Sequence, residues 1–214
     1  MNKREYDIAA LDQFLPQGAF SLVAPYFQNH TIHLKLTKER KSILGDYRNP
    51  TKTNPIHRIS ININLNKYSF LVTLLHELAH LLTFNEHHHQ VVSHGKEWKA
   101  HFRQILIPFL EHHIFPKDVQ IALVNYLRNP AASTCSDEGL YKALYKYDQK
   151  SLDTCLVGDM NVGDIFLTKD GRTFQKIESL RKRSKCIELK TKKIYLFPAI
   201  IEVKKINFLS TEKN

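Results

Sequence analysis

The chain has 214 residues, 43% of them hydrophobic and 24% charged, a balance that suits a globular protein with a buried core and excludes a disordered or low-complexity chain. Its formal net charge is +10 with a pI near 9.4, which keeps phosphate-bearing partners in view. No window approaches the ~18 apolar residues of a membrane span, and the opening MNKREYDIAA lacks the apolar run of a signal peptide, so a cytoplasmic protein with no membrane partner is expected.

Along the chain, residues 6–28 read as helical, interrupted near Pro16–Gly18. Residues 31–36, TIHLKL, alternate apolar and polar and predict a half-buried strand. A short strand over 41–48 and another over 58–63, RISINI, flank the turn-rich NPTKTNP. Asn64 and Asn66 offer capping groups to a helix over 67–84. A polar loop follows over 85–93. A second helix begins near Gly95 and carries Trp98, Phe102, Ile105 and Leu106 at helical spacing, to be kinked or ended by Pro108. Helices over 117–128 and 138–147 complete a first domain, 1–150. From 151 to 214 the pattern changes to five short strands, at 165–168, 173–177, 186–190, 194–197 and 199–203, with a hairpin signal at Asp170–Gly171. That pattern predicts a small β-barrel or curled sheet. The expected fold class is therefore α+β with a small C-terminal β module. Three scattered cysteines, Cys135, Cys155 and Cys186, make no Cys-x-x-Cys pair and read as reduced, buried thiols.

All twelve histidines lie between His30 and His113, so a histidine metal site would belong to the first domain. Within the helix over 67–84 stands HELAH, residues 76–80. Twelve His and eleven Glu in a chain of this length give an expected count for His-Glu-x-x-His of about 0.03, so chance is a poor source for it. Positions i and i+4 share one helix face, so His76 and His80 are able to converge on one cation. Zinc is the natural choice, and a catalytic zinc takes three protein ligands. Glu77, about a quarter-turn away, is placed to take a proton from the metal's water without ligating the metal. A core helix with two histidines that only satisfy hydrogen bonds is the bland alternative. A third ligand must come from elsewhere. Thr83 and Glu86 stand where a metzincin would carry glycine and histidine, which excludes that class. His94, just before the second helix, is best placed; His87, His88, His89, Glu86 and Glu97 stay as alternatives. Asn62 and Asn64 leave the preceding strand close by. No oxyanion donor is identifiable from the sequence.

HELAH at 76–80 followed by HGKEW at 94–98 resembles the SprT-like (Spartan-related) zinc metallopeptidases. The resemblance covers about residues 32–109. It implies a zincin-like minimal core of short sheet plus active-site helices, Zn2+ held by His76, His80 and His94, Glu77 as the catalytic acid–base residue, and a protein or peptide substrate, including DNA-associated proteins. Many members carry a C-terminal cysteine zinc ribbon, which the three cysteines here cannot build.

Residues 180–193, LRKRSKCIELKTKK, hold seven bases and one acid. On one face they would suit phosphate contact, so DNA is an expected partner through Arg181, Lys182, Arg183 and Lys185. A solvated surface is the plain alternative, and Tyr195 and Phe197 read as core. The expected function is zinc-dependent peptide hydrolysis, with substrate lying by strand addition along an edge strand at 58–63. The rival is a non-enzymatic nucleic-acid-associated protein with a structural zinc.

Overall fold

The computed structural model describes residues 8–38, 40, 43–128, 130 and 137–206. The chain divides into two compact units, 1–148 and 149–214, each with its own hydrophobic cluster.

In the first unit a 3-10 segment, Ile8–Phe14, leads into α1 (Ala19–Asn29). The break between them falls at Pro16–Gly18, as expected from sequence; Tyr6 and Asp7 lie outside the described residues. Then come β1 (Ile32–Thr37), β2 (Gly45–Arg48) and β3 (His57–Asn62). These form one sheet in the order β1-β3-β2, with β1 parallel and β2 antiparallel to β3. The expected strand at 41–48 is thus confined to 45–48; Lys41 and Ser42 lie outside the described residues. The order corrects one expectation. The strand at 58–63 is β3, which is hydrogen-bonded on both sides and offers no edge to a peptide; β1 and β2 are the edges. Strand order depends on long-range pairing, which alternation along one strand does not encode.

Helix α2 (Lys67–His87) is the centre of this unit. Asn66 caps it, its side-chain oxygen accepting from Tyr68 N and Ser69 N at 3.0 Å each. Its amide also donates to Leu144 O at 3.1 Å, joining the cap to the end of α5 (Glu138–Tyr145). Residues on every face of α2 are buried, from Phe70 through Leu78 to Leu81, as in a helix enclosed by its own domain. The helix runs three residues beyond its expected end, where Glu86 pairs with His101 of the neighbouring helix and His87 with Glu86, as described below.

That neighbour, α3 (Lys96–Glu111), buries Trp98, Phe102, Ile105, Leu106 and Phe109. It continues through Pro108 rather than ending there. Proline removes one backbone hydrogen bond, and the buried side chains on either side keep the turn in place. Helix α4 (Lys117–Tyr126) is joined to α5 through Asp118, which accepts from Lys146 Nζ at 3.0 Å and Tyr147 OH at 2.8 Å. Both helices stop about two residues short of their expected ends. No helix among the described residues is long and apolar enough to cross a membrane.

The second unit is an antiparallel six-stranded sheet: β4 (Thr154–Leu156), β5 (Ile165–Leu167), β6 (Thr173–Ser179), β7 (Arg183–Glu188), β8 (Ile194–Pro198) and β9 (Glu202–Ile206), in the order β4-β9-β5-β6-β7-β8. Five of these strands are the expected ones with shifted bounds. The sixth, β4, is too short to show alternation. Phe166, Phe174, Tyr195 and Phe197 pack edge-to-face or stacked at 4.9–5.6 Å and fill the core with Val157, Met160, Cys186 and Val203. Lys176 is buried, and its ammonium donates to Val157 O at 3.0 Å and Met160 O at 2.7 Å. Those carbonyls belong to the turn between β4 and β5, so this buried side chain ties the loop shut; Val157 O also accepts from Met160 N at 3.4 Å. Cys186 is a free, buried thiol pushed up to about 11 by burial, and Cys155 is free and half-buried; Cys135 lies outside the described residues.

Candidate metal centre

The site is built on two consecutive turns of α2. The i, i+4 spacing puts the imidazoles of His76 and His80 side by side, ring centroids 5.0 Å apart. His94 arrives from the link between α2 and α3 in the left-handed backbone region, at φ 59°. Histidine visits that region more readily than most residues, and such positions concentrate at functional sites. Gly95 makes the approach feasible. Its N–H donates to Val92 O at 2.9 Å, and a Cβ at position 95 would lie 2.8 Å from that oxygen. The HG pair is therefore one device: a turn that leaves room for nothing larger, aiming the histidine before it.

His94 Nε2 lies 3.1 Å from His76 Nε2 and 2.9 Å from His80 Nε2. A ring nitrogen carries either one proton or one lone pair. His94 Nε2 cannot serve both neighbours well as a hydrogen-bond partner. A cation between three lone pairs satisfies all of them. Burial first, and the neighbouring imidazoles second, push His76 down to about 3 and His80 to about 4; burial also lowers His94. The three rings are thus neutral, the form that ligates metal. The donor set of three imidazoles, one buried and two half-buried, fits a metal ion, with zinc's preference for nitrogen in keeping.

Packing holds the rings still. The Trp98 indole sits against His76, His94 and His80 at 4.6, 4.7 and 5.4 Å, and stacks on Phe102 at 5.1 Å. From the sheet side, Tyr47 of β2 lies parallel to His80 at 6.2 Å, and its hydroxyl meets His57 Nδ1 at 2.9 Å.

Glu77 is buried beneath β2. A Cβ added to Gly45 would lie 2.6 Å from both Glu77 Oε1 and Thr73 Cγ2, so only glycine lets the strand pass this close. Burial, then the Asp46 carboxylate, hold Glu77 up to about 8, against the lowering pull of Arg40 and of the Tyr47 backbone N–H. Arg40 is itself fixed, donating to Asn62 Oδ1 at 2.9 Å and Ser60 Oγ at 3.0 Å. Asn62 thus braces the chain entering β2, donating also to Ile43 O at 3.0 Å.

Of the residues weighed as third ligand, only His94 joins His76 and His80. Glu97 pairs with Lys96 at 3.8 Å. His88 and His89 lie against Phe84. Glu86 and His87 belong to a separate group with His101. Gly45, Asp46, Tyr47 and Arg40 carried no sequence signal, because a four-residue strand with one glycine has no motif. In the second unit the basic run divides. Arg181, Lys182 and Arg183 are exposed at the β6–β7 turn, and Lys190, Lys192 and Lys193 at the β7–β8 turn. A six-residue strand separates them by roughly 20 Å, so the run is two clusters rather than one patch, with Lys185 between them near Glu178 at 3.7 Å.

Comparison with curated proteins and with solved structures gives no match. Residues 15–116 match the SprT-like family, a span that contains β1–β3, α2, α3 and all three converging histidines. The chain carries a SprT-like domain over those residues.

Proposed function

We propose that the first unit is a zincin-like peptidase domain that hydrolyses peptide bonds with one zinc ion. The observation that carries this reading is the meeting of three neutral imidazole nitrogens beside a buried carboxyl on the same helix. His76, His80 and His94 would hold the ion through Nε2. Zinc, when bound, supplies a Lewis acid that acidifies water and polarises a carbonyl. Glu77 does the proton work. Without an ion, a carboxyl held near 8 is mostly protonated at neutral pH; the positive charge of a cation on the three histidines would favour its carboxylate form, which can accept a proton from water and return it to a leaving amine. A structural zinc site has no use for such a group. Trp98 and Tyr47 hold the ligands in orientation from two sides. The extended substrate lies along β2, the edge strand that passes over Glu77, where backbone pairing gives affinity without a fixed sequence.

DNA is the proposed second partner, through Arg181, Lys182, Arg183 and Lys185. The support is the common exposure of the first three at one turn. Reversing these three charges should weaken single-stranded DNA binding and flatten its salt dependence; unchanged binding removes that part. The peptidase reading is tested with His94→Ala. Tight zinc and cleavage of an unfolded protein substrate should be lost together, with zinc affinity falling by more than the roughly 10–100-fold that loss of an outer partner costs. Cleavage that survives loss of zinc refutes it.

A further inference from the structure

A second group of metal-binding side chains lies outside the triad. Glu86 and His87 close α2, and His101 stands one turn beyond Trp98 on α3. The ligand atoms of these three lie within 4.8 Å of one another. His101 Nε2 is 3.0 Å from Glu86 Oε2, and His87 Nε2 is 3.6 Å from Glu86 Oε1. Ligands about 2.0–2.1 Å from a tetrahedral ion stand roughly 3.3–3.4 Å apart; each imidazole stands within a few tenths of an ångström of that distance from one oxygen of Glu86, His101 from Oε2 and His87 from Oε1. The His101 side chain is only 15% exposed and that of His87 29%, so packing sets their directions before any ion arrives. His87 is seven residues beyond His80, nearly the same face of α2 about 10 Å further along. The two groups are therefore neighbours on the α2–α3 seam with no residue in common.

We propose that Glu86, His87 and His101 form a second site for a divalent transition metal, filled by zinc more weakly than the triad. Two imidazoles and a carboxylate are borderline donors that suit zinc, and the carboxylate offsets part of the ion's charge. Exposure of Glu86 leaves room for water to complete the shell and for rapid exchange. The location gives the site a consequence. Glu86 and His87 precede the link that carries His94, and His101 follows it, so one ion would clasp both ends of that link. Occupancy would restrict the segment that delivers the third ligand of the triad.

The test is a Zn2+ titration of the full chain, stripped of metal, followed by calorimetry against a competing chelator. The wild-type chain should take up two zinc ions in two steps. Glu86→Gln, which keeps the shape of an exposed side chain, and His101→Ala should each abolish the weaker step and leave the tighter one. His94→Ala should do the reverse, which separates failure of this site from failure of the triad. A single step in the wild-type chain, or a second step that persists in both Glu86→Gln and His101→Ala, overturns the proposal.

Discussion

Glu77 and Gly45 show how a single missing side chain positions a functional group. The strand above Glu77 passes so near that a methyl group at Gly45 would overlap the carboxylate. Gly45→Ala should therefore displace Glu77 while leaving the three histidines in place. We expect cleavage to fall by about 10–100-fold, the scale of an ångström's misplacement of a reacting group, with zinc content unchanged. Overpacking should also cost about 1–3 kcal/mol of stability. Full activity in this variant would mean that Glu77 adjusts freely. The pair also marks where sequence reading reaches its limit. His76, His80 and His94 were legible, because i, i+4 spacing is a property of any helix and HG before a helix is a local turn. Gly45, Tyr47 and Arg40 were not, because they reach the site through strand pairing and a loop, and nothing in a linear string records which strand covers which helix. For the same reason, the strand at 58–63 read as an edge when it is the centre of its sheet.

Among the elements, α2 carries most of the burden. It is buried on all sides, so its start must be fixed by something other than an amphipathic face. Asn66 does this, pairing two orphan N–H groups of the first turn and reaching α5 with its amide. Asn66→Ala should lower stability by about 1–2 kcal/mol in denaturant unfolding, a full capping effect; a change of a few tenths would show the cap to be redundant. Asn66, which the sequence offers as a cap beside Asn64, was legible because its side chain stands directly before a helical run, where it accepts from first-turn N–H groups. The far end of α2 was misjudged, since Glu86 and His87 look like loop residues until His101 is placed beside them.

On the scale of the whole molecule, the two units have separate cores, and acid should reach them through different carboxylates. In the first, Asp118 is held below its ordinary value mainly by Lys146 and Tyr147. In the second, Asp164 is lowered mainly by Lys205, at 2.7 Å. A carboxyl lowered by folding stabilises the folded chain fully above its unfolded value, about 3.9. That contribution disappears as pH falls through the lower folded value. Both groups lie near the surface, so each effect is small. Asp118→Asn should make the first unit's thermal midpoint less sensitive to pH below about 4 and leave the second unit's unchanged; equal effects on both would contradict the division. Chelation gives the complementary pattern. Removing zinc should lower only the first unit's midpoint, because ligand binding stabilises the fold that binds it.

The most direct measurement compares the wild-type chain with Glu77→Gln for tightly held zinc and for cleavage of an unfolded protein, after weakly held metal has been removed by dialysis. One zinc in each protein, with cleavage by the wild type alone, is the predicted result. Equal cleavage by both proteins, or the absence of tight zinc from the wild type, would contradict the assignment of this histidine cluster and its glutamate to metal-assisted peptide hydrolysis.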